Sequence, residues 1–391
     1  MKKHILLIVQ NNSFPFDKRV QKEASSLSKF GYKVCVISPI SNHDPEKRIS
    51  IDNIDVYRYK DFVAKGTAFS FILEYLNSVV KIFFLTVYVS LKKRVKIIHV
   101  ANPPDFFWPI ALVCKIIRIK FIFDQHDLAP EMYRLKFKNQ YLYQLLLLNE
   151  KLSVMFADSI IATNNSFKKR LIEKWGMKNE KCSVIPNGPS KDFISKKNED
   201  LEEKYYNRKI ILFVGLMTVN DNIEVVIESA RKIINEYNRK NCYFVLLGDG
   251  DVREKMEKLA EEYQLTNFIE FKGIVNYDKV QEYLHIANVC IAPDMPNGLN
   301  EYLTLIKVLE YMKAKKPFVS FDLKETKEVS KSSGLYAKDL DDYVEKILYL
   351  LDNPEAALVL GEEGNKIIEN EFLWEHSEKK LLTLYTDLLK R

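Results

Sequence analysis

The stretch HILLIVQ, residues 4–10, is a continuous apolar run in which polar and apolar positions do not alternate. Such a run is typical of a strand that is buried on both faces of a parallel sheet. A helical pattern follows, with Val20, Ala24 and Leu27 on one face and Gly31 where a helix should end. KVCVIS (33–38) then predicts a second strand. Strand, helix and strand in this order predict a parallel α/β sheet.

The same alternation continues along the chain and then begins again. Further strands are predicted at residues 54–59, 96–100, 120–126, 158–163 and 182–187. A charged stretch, residues 196–209, interrupts the pattern. It resumes with strands predicted at 210–215, 243–248, 268–273, 289–293, 317–322 and 334–337. Two such runs predict two α/β domains with a cleft between them, and ligands of parallel sheets bind at the carboxyl ends of the strands.

The composition limits the class of protein. The 391 residues suit two to three domains, and a hydrophobic fraction of 47% excludes a disordered chain. The net charge of +6 suits anionic small molecules or an acidic membrane surface. We expect no nucleic-acid partner, because the chain has no zinc-finger or RNA-binding signature. The five cysteines are scattered without metal-ligand spacing, so we expect reduced thiols, a cytoplasmic protein and no metal site.

The segment FSFILEYLNSVVKIFFLTVYVSL, residues 69–91, raises the question of a membrane span. Glu74, Asn77, Ser78 and Lys81 interrupt it along one helical stripe. Charges near the middle of a spanning helix are rare, so we predict an amphipathic helix instead. Two interpretations stay open: burial within the domain, or attachment to a membrane surface, which the basic residues 92–94 favour. The N-terminus has no small-residue cleavage site, so we expect no signal peptide.

The loop after the first strand carries candidate ligand residues. Asn12 and Ser13 begin it, and it has none of the glycine-rich fingerprint of nicotinamide or flavin dehydrogenases. Asp17 and Arg19, at the start of the next helix, form either a local ion pair or part of a ligand site.

The segment FDQHDLAPEMY (123–133) places Asp124, His126, Asp127 and Glu131 within eight positions, directly after an apolar strand. Acids beside a histidine at a strand end suit acid–base or hydrogen-bonding work. The alternative is a loop whose polar groups cap the next helix, with Pro130 at its start.

The segment NEYLTLIKVLEYM (300–312) predicts a helix that begins after Asn300 as its N-cap. Thr304, Lys307 and Glu310 share its polar face. The first-turn amides and Lys307 would hold a phosphate, and Glu310 would accept hydrogen bonds from a ribose diol. The alternative is a solvated ion pair. It is weakened because the lysine precedes the glutamate, which is the less favourable order in a helix.

The chain resembles the retaining glycosyltransferases of family 4, which have the GT-B fold of two facing Rossmann-like domains. The resemblance covers nearly the whole chain. It rests on FPFDKRVQKEASSLSKFGYKVCVIS, FDQHDLAPE, ADSIIATNNSFKKRL, VIPNG, LFVGLM, LLGDGDVREKMEKLA, IEFKGIV, IAP and LNEYLTLIKVLEYMKAKKPFVSFDLKE. Each segment is weakly specific alone, and the ordered set carries the assignment.

The resemblance implies an α/β fold with two doubly wound parallel-sheet domains that face a cleft. Residues 1–190 would form an N-terminal acceptor-binding domain. Residues 191–371 would form a C-terminal domain that binds the nucleotide sugar. Residues 372–391 would correspond to the family's C-terminal helix, which crosses back to the N-terminal domain.

The family transfers a sugar from a nucleotide diphosphate, retains the anomeric configuration and needs no metal or other cofactor. By this match Glu310 would hold the ribose, Lys307 would lie near the pyrophosphate, and His126 would contact the donor sugar and help orient the reacting centre. The catalytic residues would be His126, Asp127 and Glu310. The other donor-site residues would be Gly215, Gly248, Ile274, Val275, Asn300, Thr304 and Leu305, with Ile274 and Val275 near the base. The residues that face the acceptor or the transferred sugar would be Asn12, Ser13, Asp17, Arg19 and Glu131.

Two positions depart from the family pattern. Many members have an acidic residue eight positions before the ribose glutamate, where this chain has Tyr302. Many also have arginine and lysine after the first strand of the C-terminal domain, where this chain has GLMTVNDN, residues 215–222. Lys307 would supply that positive charge, as in the branch of the family that the chain resembles.

The sequence therefore predicts a retaining, metal-independent transferase of the hexosyl or N-acetylhexosaminyl type. It would use a nucleotide-diphosphate sugar, with UDP expected, and a glycan or lipid-linked acceptor in surface polysaccharide or glycoconjugate biosynthesis. We expect it in the cytoplasm, with peripheral contact at the inner face of the membrane. Two alternatives stay open: a catalytically weak GT-B scaffold or partner protein, which the two departures favour, and a GT-B epimerase that acts on a sugar nucleotide.

Overall fold

The computed structural model describes residues 3–41, 45–61 and 68–390. The chain divides into two compact units. Unit 1 consists of Met1–Pro186 and Ser377–Arg391, and unit 2 consists of Asn187–His376. The sequence predicts domain boundaries after residues 190 and 371, whereas the units change after Pro186 and His376.

Unit 1 contains a sheet of eight strands. They are β1 (His4–Ile8), β2 (Lys33–Pro39), β3 (Arg48–Ile51), β4 (Ile54–Tyr59), β5 (Val95–Ala101), β6 (Lys120–Gln125), β7 (Ser159–Ala162) and β8 (Cys182–Val184). Their order is β3-β4-β2-β1-β5-β6-β7-β8, and all neighbours are parallel except β3 and β4. The chain direction across the sheet reverses between β1 and β5. The loops after these two strands therefore open a crevice at the carboxyl edge.

Unit 2 contains a sheet of six parallel strands. They are β9 (Lys209–Val214), β10 (Cys242–Leu247), β11 (Ile269–Gly273), β12 (Val289–Ala292), β13 (Phe318–Phe321) and β14 (Leu335–Ala337). Their order is β11-β10-β9-β12-β13-β14. The reversal here lies between β9 and β12, so the crevice of unit 2 is expected beside the loops after these strands.

Helices connect most of the successive strands in both units. In chain order they are α1 (Lys18–Phe30), α2 (Ala68–Lys93), α3 (Trp108–Ile116), α4 (Ala129–Lys136), α5 (Gln140–Phe156), α6 (Asn165–Trp175), α7 (Glu199–Lys204), α8 (Ile223–Arg231), α9 (Arg253–Glu262), α10 (Tyr277–Ile286), α11 (Ile306–Lys313), α12 (Lys324–Ser330), α13 (Leu340–Asp352), α14 (Pro354–Ile367) and α15 (Trp374–Lys390). The predicted class, two parallel-sheet α/β domains, is confirmed.

The strand β3 was not predicted. It pairs antiparallel with β4 through Asp52 and Asn53, a two-residue turn whose φ angles are 50° and 65°. Two-residue turns with positive φ are the usual connection of tight hairpins. The polar pair between two isoleucine-containing runs was therefore a signal in the sequence that could have revealed this hairpin.

The ends of α1 follow the predicted chemistry. The carboxylate of Asp17 accepts the N–H of Val20 at 2.9 Å and caps the helix. Gly31 closes the other end with a φ of 108°, which favours glycine. The predicted apolar face, which also includes Ala24 and Leu27, is buried.

The sheet of unit 2 is buried on both faces. Along β9, Ile211 and Phe213 belong to one hydrophobic cluster and Ile210 and Leu212 to a second one. All four side chains are buried. This double burial explains why the strands are continuous apolar runs rather than alternating ones.

Helix α2 turns polar side chains toward the domain. Ser78 is fully buried, and its hydroxyl donates to Asp61 at 2.5 Å; Thr86 and Ser90 are buried as well. The exposed side carries large apolar residues, 43% to 73% exposed: Leu73, Leu76, Val80, Phe84, Tyr88 and Leu91. Ile82 and Val89 of this helix are also buried, so α2 carries apolar residues on both its buried and its exposed side. None of the helices in the described part of the chain has both the length and the apolar character to cross a membrane.

Candidate functional site

The crevice of unit 2 is built on close backbone contacts between loops. The N–H of Gly215 donates to Leu247 O at 3.0 Å, and the N–H of Gly248 donates to Gly273 O at 2.9 Å. A Cβ on Gly248 would lie 1.8 Å from the carbonyl oxygen of Gly215. Gly248 therefore lets the loops after β9 and β10 meet, a structural reason for glycine at this position.

Lys307 lies in the first turn of α11, and this helix begins later than predicted. The prediction of a helix that begins after Asn300 is wrong, because residues 300–302 form a 3-10 turn and α11 begins at Ile306. Its N-cap residue, Leu305, makes no side-chain capping hydrogen bond. The amides of this first turn, rather than those after Asn300, therefore lie beside Lys307.

The later start has a local physical cause. The side-chain oxygen of Asn297 accepts the N–H groups of Leu299 and Asn300, each at 2.9 Å. The carboxylate of Glu301 accepts the N–H of Gly298 at 2.8 Å. Short polar side chains that bind nearby amides in this way compete with helix formation. Backbone groups that were expected to meet a phosphate are thus already used within the loop.

The amine of Lys307 is held at the crevice between β9 and β12. It donates to Asp294 at 2.9 and 3.2 Å and lies 3.5 Å from Asp221. It also lies 4.9 Å from the ring centroid of Phe213. A Cβ placed on Gly215 would be 3.4 Å from this amine. The lysine therefore reaches the end of β9, where many family members have their basic residues.

The carboxylates around Lys307 were not found from the sequence. Asp294 follows β12 and is 3% exposed, and Asp221 ends the short turn after β9. Burial raises the pKa of the Asp294 carboxyl above its ordinary value, and Lys307 opposes this rise. A strand-end aspartate 13 residues before the lysine gives no pattern that would have identified the pair.

Glu310 has a different partner from Lys307. Its carboxylate accepts the hydroxyl of Tyr277, in α10, at 2.9 Å. Burial and the neighbouring Glu310 raise the pKa of Tyr277, so the phenol keeps its proton and donates. The interpretation of Lys307 and Glu310 as a mutual surface pair is therefore not supported, since each contacts other groups.

The remaining predicted donor residues lie in distinct environments. The hydroxyl of Thr304 donates to Glu325 at 3.1 Å, and Leu305 is buried in a core cluster. Ile274, after β11, is 83% exposed, whereas Val275 packs against the core. Only Ile274 of this pair thus offers an open apolar surface.

Other apolar residues at the carboxyl edge of unit 2 were missed by the sequence analysis. Leu216 and Val219, in the loop after β9, are 67% and 68% exposed, and Met295, after Asp294, is 37% exposed. Large exposed apolar groups near charged residues are a usual lining of small-molecule sites.

Unit 1 holds a buried ionic cluster at the carboxyl edge of its sheet. Arg19 is 4% exposed and donates to both oxygens of Asp124 at 3.2 Å, and to Ile185 O at 2.9 Å. It also lies 3.3 Å from Glu23. Arg19 therefore forms no local pair with Asp17, which caps α1, and instead joins α1 to β6 and to the chain after β8.

His126 is the partly exposed member of this cluster. Its Nε2 lies 2.7 Å from Asp124 Oδ2 and 2.9 Å from Arg19 Nε, and the side chain is 11% exposed. Its backbone N–H donates to Asn102 at 2.6 Å, as does that of Asp127 at 3.0 Å. Asn102, after β5, was not predicted, and it fixes the loop that carries both candidates.

The two buried carboxyls of the cluster differ in charge. Burial favours protonation of Asp124, but Arg19 and His126 outweigh it and hold the pKa of Asp124 well below its ordinary value. Burial and the Asp124 charge raise the pKa of Glu23 well above its ordinary value. The surroundings thus favour the charged form of Asp124 and the neutral form of Glu23.

Glu23, Asp124 and His126 also have the geometry of a three-ligand metal site, with one donor atom each within 4.8 Å of the others. Arg19 Nε lies 3.3, 3.2 and 2.9 Å from atoms of these three residues. The position that a cation would take is thus next to the chain's own guanidinium.

The other predicted residues of unit 1 lie outside this cluster. Asn12 is exposed and its oxygen accepts the N–H of Ser13, which is buried. Glu131 forms ion pairs with Arg170 at 2.5 Å and Lys174 at 3.2 Å. Glu131 is therefore engaged in an interaction between α4 and α6.

Two family models match the chain. The model described as Glycosyltransferase Family 4 covers residues 18–192, and the one described as Glycosyl transferases group 1 covers residues 208–353. A chitobiosyldiphosphodolichol beta-mannosyltransferase of Kluyveromyces lactis is 26% identical over 66% of this chain, and the match spans 62% of that protein's length. An uncharacterized glycosyltransferase of Methanocaldococcus jannaschii is 24% identical over 92% of this chain and 91% of its own.

Solved structures resemble the whole fold. A sucrose-phosphate synthase from Thermosynechococcus elongatus has a TM-score of 0.79 at 18% identity, with complete coverage of both chains. The Anabaena protein HepE in complex with UDP and glucose has a TM-score of 0.75 at 13% identity, over 98% of this chain and 99% of its own.

The two sheets, their order and these neighbours define the GT-B fold. The chain combines a Family 4 glycosyltransferase domain with a group 1 glycosyltransferase domain.

Proposed function

We propose that this chain is a retaining, metal-independent glycosyltransferase that takes a hexosyl or N-acetylhexosaminyl group from a UDP-sugar. Its acceptor is a glycan or lipid-linked glycan in surface polysaccharide or glycoconjugate biosynthesis. One observation carries the donor assignment: Lys307 lies at the uncapped start of α11 and against Gly215, with Glu310 one turn further on.

This arrangement suits a nucleotide diphosphate. The amides of an uncapped helix start and an ammonium group are both partners for phosphate oxygens. The Glu310 carboxylate, already oriented by Tyr277, suits a ribose diol. The exposed Ile274 suits the face of a base. HepE, solved with UDP and glucose, supports UDP as the first nucleotide to test.

Calorimetric titration of UDP, GDP, dTDP and ADP tests the donor site. We expect UDP to bind the wild type, and Lys307→Met and Glu310→Gln each to weaken binding by about tenfold or more, the value of one charge-assisted hydrogen bond. Lys255→Met is the matched control, because this exposed lysine of α9 forms no ion pair within the described residues. Failure of every nucleotide to bind the folded wild type would overturn the proposal and favour a scaffold protein.

The stereochemistry needs its own measurement. The name of the Kluyveromyces relative specifies a beta-linked product. Proton NMR of the product, formed from an α-linked donor in the presence of EDTA, reports both the anomeric configuration of the product and whether the reaction needs a metal. An α-linked product supports retention without a metal, whereas a β-linked product or loss of activity in EDTA contradicts it. Conversion of the sugar nucleotide without any acceptor would instead favour an epimerase.

The surface of unit 1 supports a membrane-bound acceptor. Helix α5 buries Asn149, Glu150 and Ser153. Its exposed apolar residues are Tyr141, Leu145, Leu148 and Met155. Ile116 and Ile117, at the end of α3, are exposed between them. We call the exposed apolar residues of α2, α3 and α5 the apolar surface of unit 1.

Basic residues accompany the apolar surface of unit 1. Lys92, Arg94, Lys115, Arg118 and Lys151 are exposed on or next to the three helices. An apolar face with lysine and arginine beside it matches the interface of an anionic bilayer. Such contact would bring a peripheral protein at the inner membrane face to a lipid-linked acceptor.

Co-sedimentation with vesicles tests this contact. We expect binding to vesicles that contain phosphatidylglycerol and weaker binding to pure phosphatidylcholine. The double variant Phe84→Ser, Leu91→Ser should lose most of the binding to phosphatidylglycerol vesicles. Leu358→Ser with Val359→Ser is the matched control, because these residues are equally exposed on α14 of unit 2. Equal binding by both double variants would contradict the assignment.

A further inference from the structure

A slot with a volume of about 120 Å³ lies between α2 and α3 in unit 1. Ile98 of β5, which is 1% exposed, lines its inner side. On each helix the lining residues recur every three or four positions: Phe83, Val87 and Leu91 of α2, and Ile110, Val113 and Ile117 of α3 and its C-cap. Seven or eight helical residues span about 10 Å, so the slot is long and narrow. An apolar cavity of about 150 Å³ is large enough to bind benzene, so this slot has room for part of an apolar chain.

The slot opens onto the apolar surface of unit 1. Leu91 and Ile117 line the slot and are 73% and 49% exposed, so they belong to both features. An exposed basic residue follows each of them, Lys92 after Leu91 and Arg118 after Ile117. A ligand whose apolar part enters the slot would therefore meet positive charge at the opening, which favours an anionic head group.

Two hydroxyls in the wall show that this region is not packed for stability alone. Thr86 and Ser90 line the slot and are 3% and 6% exposed, and neither hydroxyl has a hydrogen-bond partner among the described residues. The hydroxyl of Thr386, on α15, instead donates to the carbonyl oxygen of Leu382 at 2.8 Å, as helical threonines often do. Larger apolar side chains at positions 86 and 90 would fill the space and remove two unpaired hydroxyls, both of which would stabilise the fold. The chain thus keeps a space that stability alone would close.

We propose that the slot between α2 and α3 holds one straight acyl chain of an anionic membrane phospholipid. The end of the chain lies between the apolar walls, and the phosphate lies on the side of Lys92 and Arg118. A long, narrow slot fits an unbranched chain better than the methyl-branched chain of an isoprenoid lipid. The membrane as the source of this lipid rests on the proposed contact of unit 1 with a bilayer, whereas the site itself rests on the slot alone.

Methyl NMR with a soluble lipid tests the slot in the absence of a bilayer. The probe is dihexanoylphosphatidylglycerol, kept below the concentration at which it forms micelles. With ¹³C-labelled isoleucine methyl groups, assigned through Ile98→Val and Ile110→Val, we expect saturable shifts of the Ile98 and Ile110 signals. Ile227, in the core of unit 2, is the internal reference and should not move. The inference fails if neither slot signal shows a saturable shift, or if Ile227 shifts equally.

Two substitutions close the slot from opposite walls. Ser90→Leu adds apolar atoms from α2, and Val113→Phe adds them from α3. We expect each to raise the Kd of the probe by tenfold or more. Val80→Phe is the matched control and should leave the Kd unchanged, because Val80 is 54% exposed on α2 and lies outside the slot. An unchanged Kd in both slot variants would mean that the probe binds elsewhere, and if one variant does not fold, the other decides.

The identity of the lipid is tested with two further probes. Dihexanoylphosphatidylcholine has the same chains and no net charge, and we expect it to bind about fivefold more weakly or worse, the effect of one basic residue on an anionic lipid. Farnesyl phosphate has an anionic head and a branched chain, and it should also bind more weakly. Equal binding of the two phospholipids would contradict the role of Lys92 and Arg118. Tighter binding of farnesyl phosphate would assign the slot to an isoprenoid lipid instead.

The vesicle experiment distinguishes this inference from the proposed membrane contact. If phosphatidylglycerol vesicles bind the protein but the soluble probe does not enter the slot, the inference fails and the membrane contact stands. If the probe enters the slot but the vesicles do not bind, the membrane is not the source of the lipid, and the proposed contact fails.

Discussion

The amine of Lys307 lies 2.9 Å from one oxygen of Asp294 and 3.2 Å from the other. The lysine that we assign to the diphosphate therefore has a buried counter-ion of its own. A phosphate that binds here would share the lysine with a carboxylate. Repulsion between these two anions would oppose part of the attraction to Lys307, and the affinity for a nucleotide would depend on the charge of Asp294.

The first prediction follows from that charge. Asp294→Asn keeps an oxygen for Lys307 and removes the competing negative charge. We expect UDP to bind this variant more tightly, by roughly tenfold, or about 1.4 kcal/mol. Calorimetric titration measures the change. A weaker affinity would mean that Asp294 mainly orients Lys307, and Asp294→Leu, which removes both charge and oxygen, separates the two effects.

A second prediction concerns the orientation of Glu310. Tyr277→Phe removes the hydroxyl that donates to this carboxylate at 2.9 Å. The loss of a neutral donor to a charged acceptor should weaken UDP binding by about three- to tenfold, less than Glu310→Gln does. Titration of both variants and of the double variant checks this order. If the two effects simply add, the tyrosine does not act through Glu310.

Most strands were predictable from the sequence because strands that are buried on both faces form continuous apolar runs. A strand such as β9 is buried on both faces, so its residues form a continuous apolar run that stands out between helical patterns. All thirteen predicted strands are present. The missed strand, β3, lies at the sheet edge and alternates exposed with partly exposed residues, so it has no such run.

The contacts of the candidate site were less predictable, because they join distant parts of the chain. Arg19 meets Asp124 across 105 positions, and His99 meets Tyr385 across 286. Residue type and position at a strand end identified Arg19 and His126 as candidates. Nothing local identifies Tyr385 as a partner, since it lies on the buried apolar face of an ordinary helix. The prediction for the start of α11 was wrong for a local reason. The side chains of Asn297 and Glu301 accept hydrogen bonds from backbone N–H groups of the same loop.

A third prediction concerns the dependence of stability on pH. Asp105 is 1% exposed, and one of its oxygens has no hydrogen-bond partner among the described residues. Burial, followed by the neighbouring Glu150, raises the pKa of Asp105 to about 8. The unfolded chain releases this proton near its ordinary pKa of about 4. The folded state therefore binds more protons between about pH 4 and pH 8, and its stability falls as pH rises through this window.

Asp105→Asn should remove this contribution, because an amide has the shape of the protonated carboxyl and does not ionise. We expect the variant to gain on the order of a few kcal/mol over the wild type as pH rises from about 5 to about 8.5. Chemical denaturation at both pH values measures the difference. Asp278→Asn, at a carboxylate that is 68% exposed, is the control and should keep the slope of the wild type. An unchanged slope in Asp105→Asn would show that Asp105 ionises normally.

The last prediction concerns the backbone contact that shapes the crevice of unit 2. Gly248 has a φ of 134°, and a Cβ there would lie 1.8 Å from Gly215 O, too close for any adjustment of a side chain. Gly248→Ala must therefore separate the loops after β9 and β10, at a cost of about 3 kcal/mol or more from conformation and overlap together.

Gly298→Ala is the matched control. Its φ of 85° is also unfavourable for alanine, but nothing lies within 4 Å of the new Cβ, so only about 1–2 kcal/mol is expected. Thermal unfolding compares the two variants, and UDP titration should show lost affinity in Gly248→Ala. Equal destabilisation would mean that conformation, rather than the close approach of the two loops, requires glycine at this position.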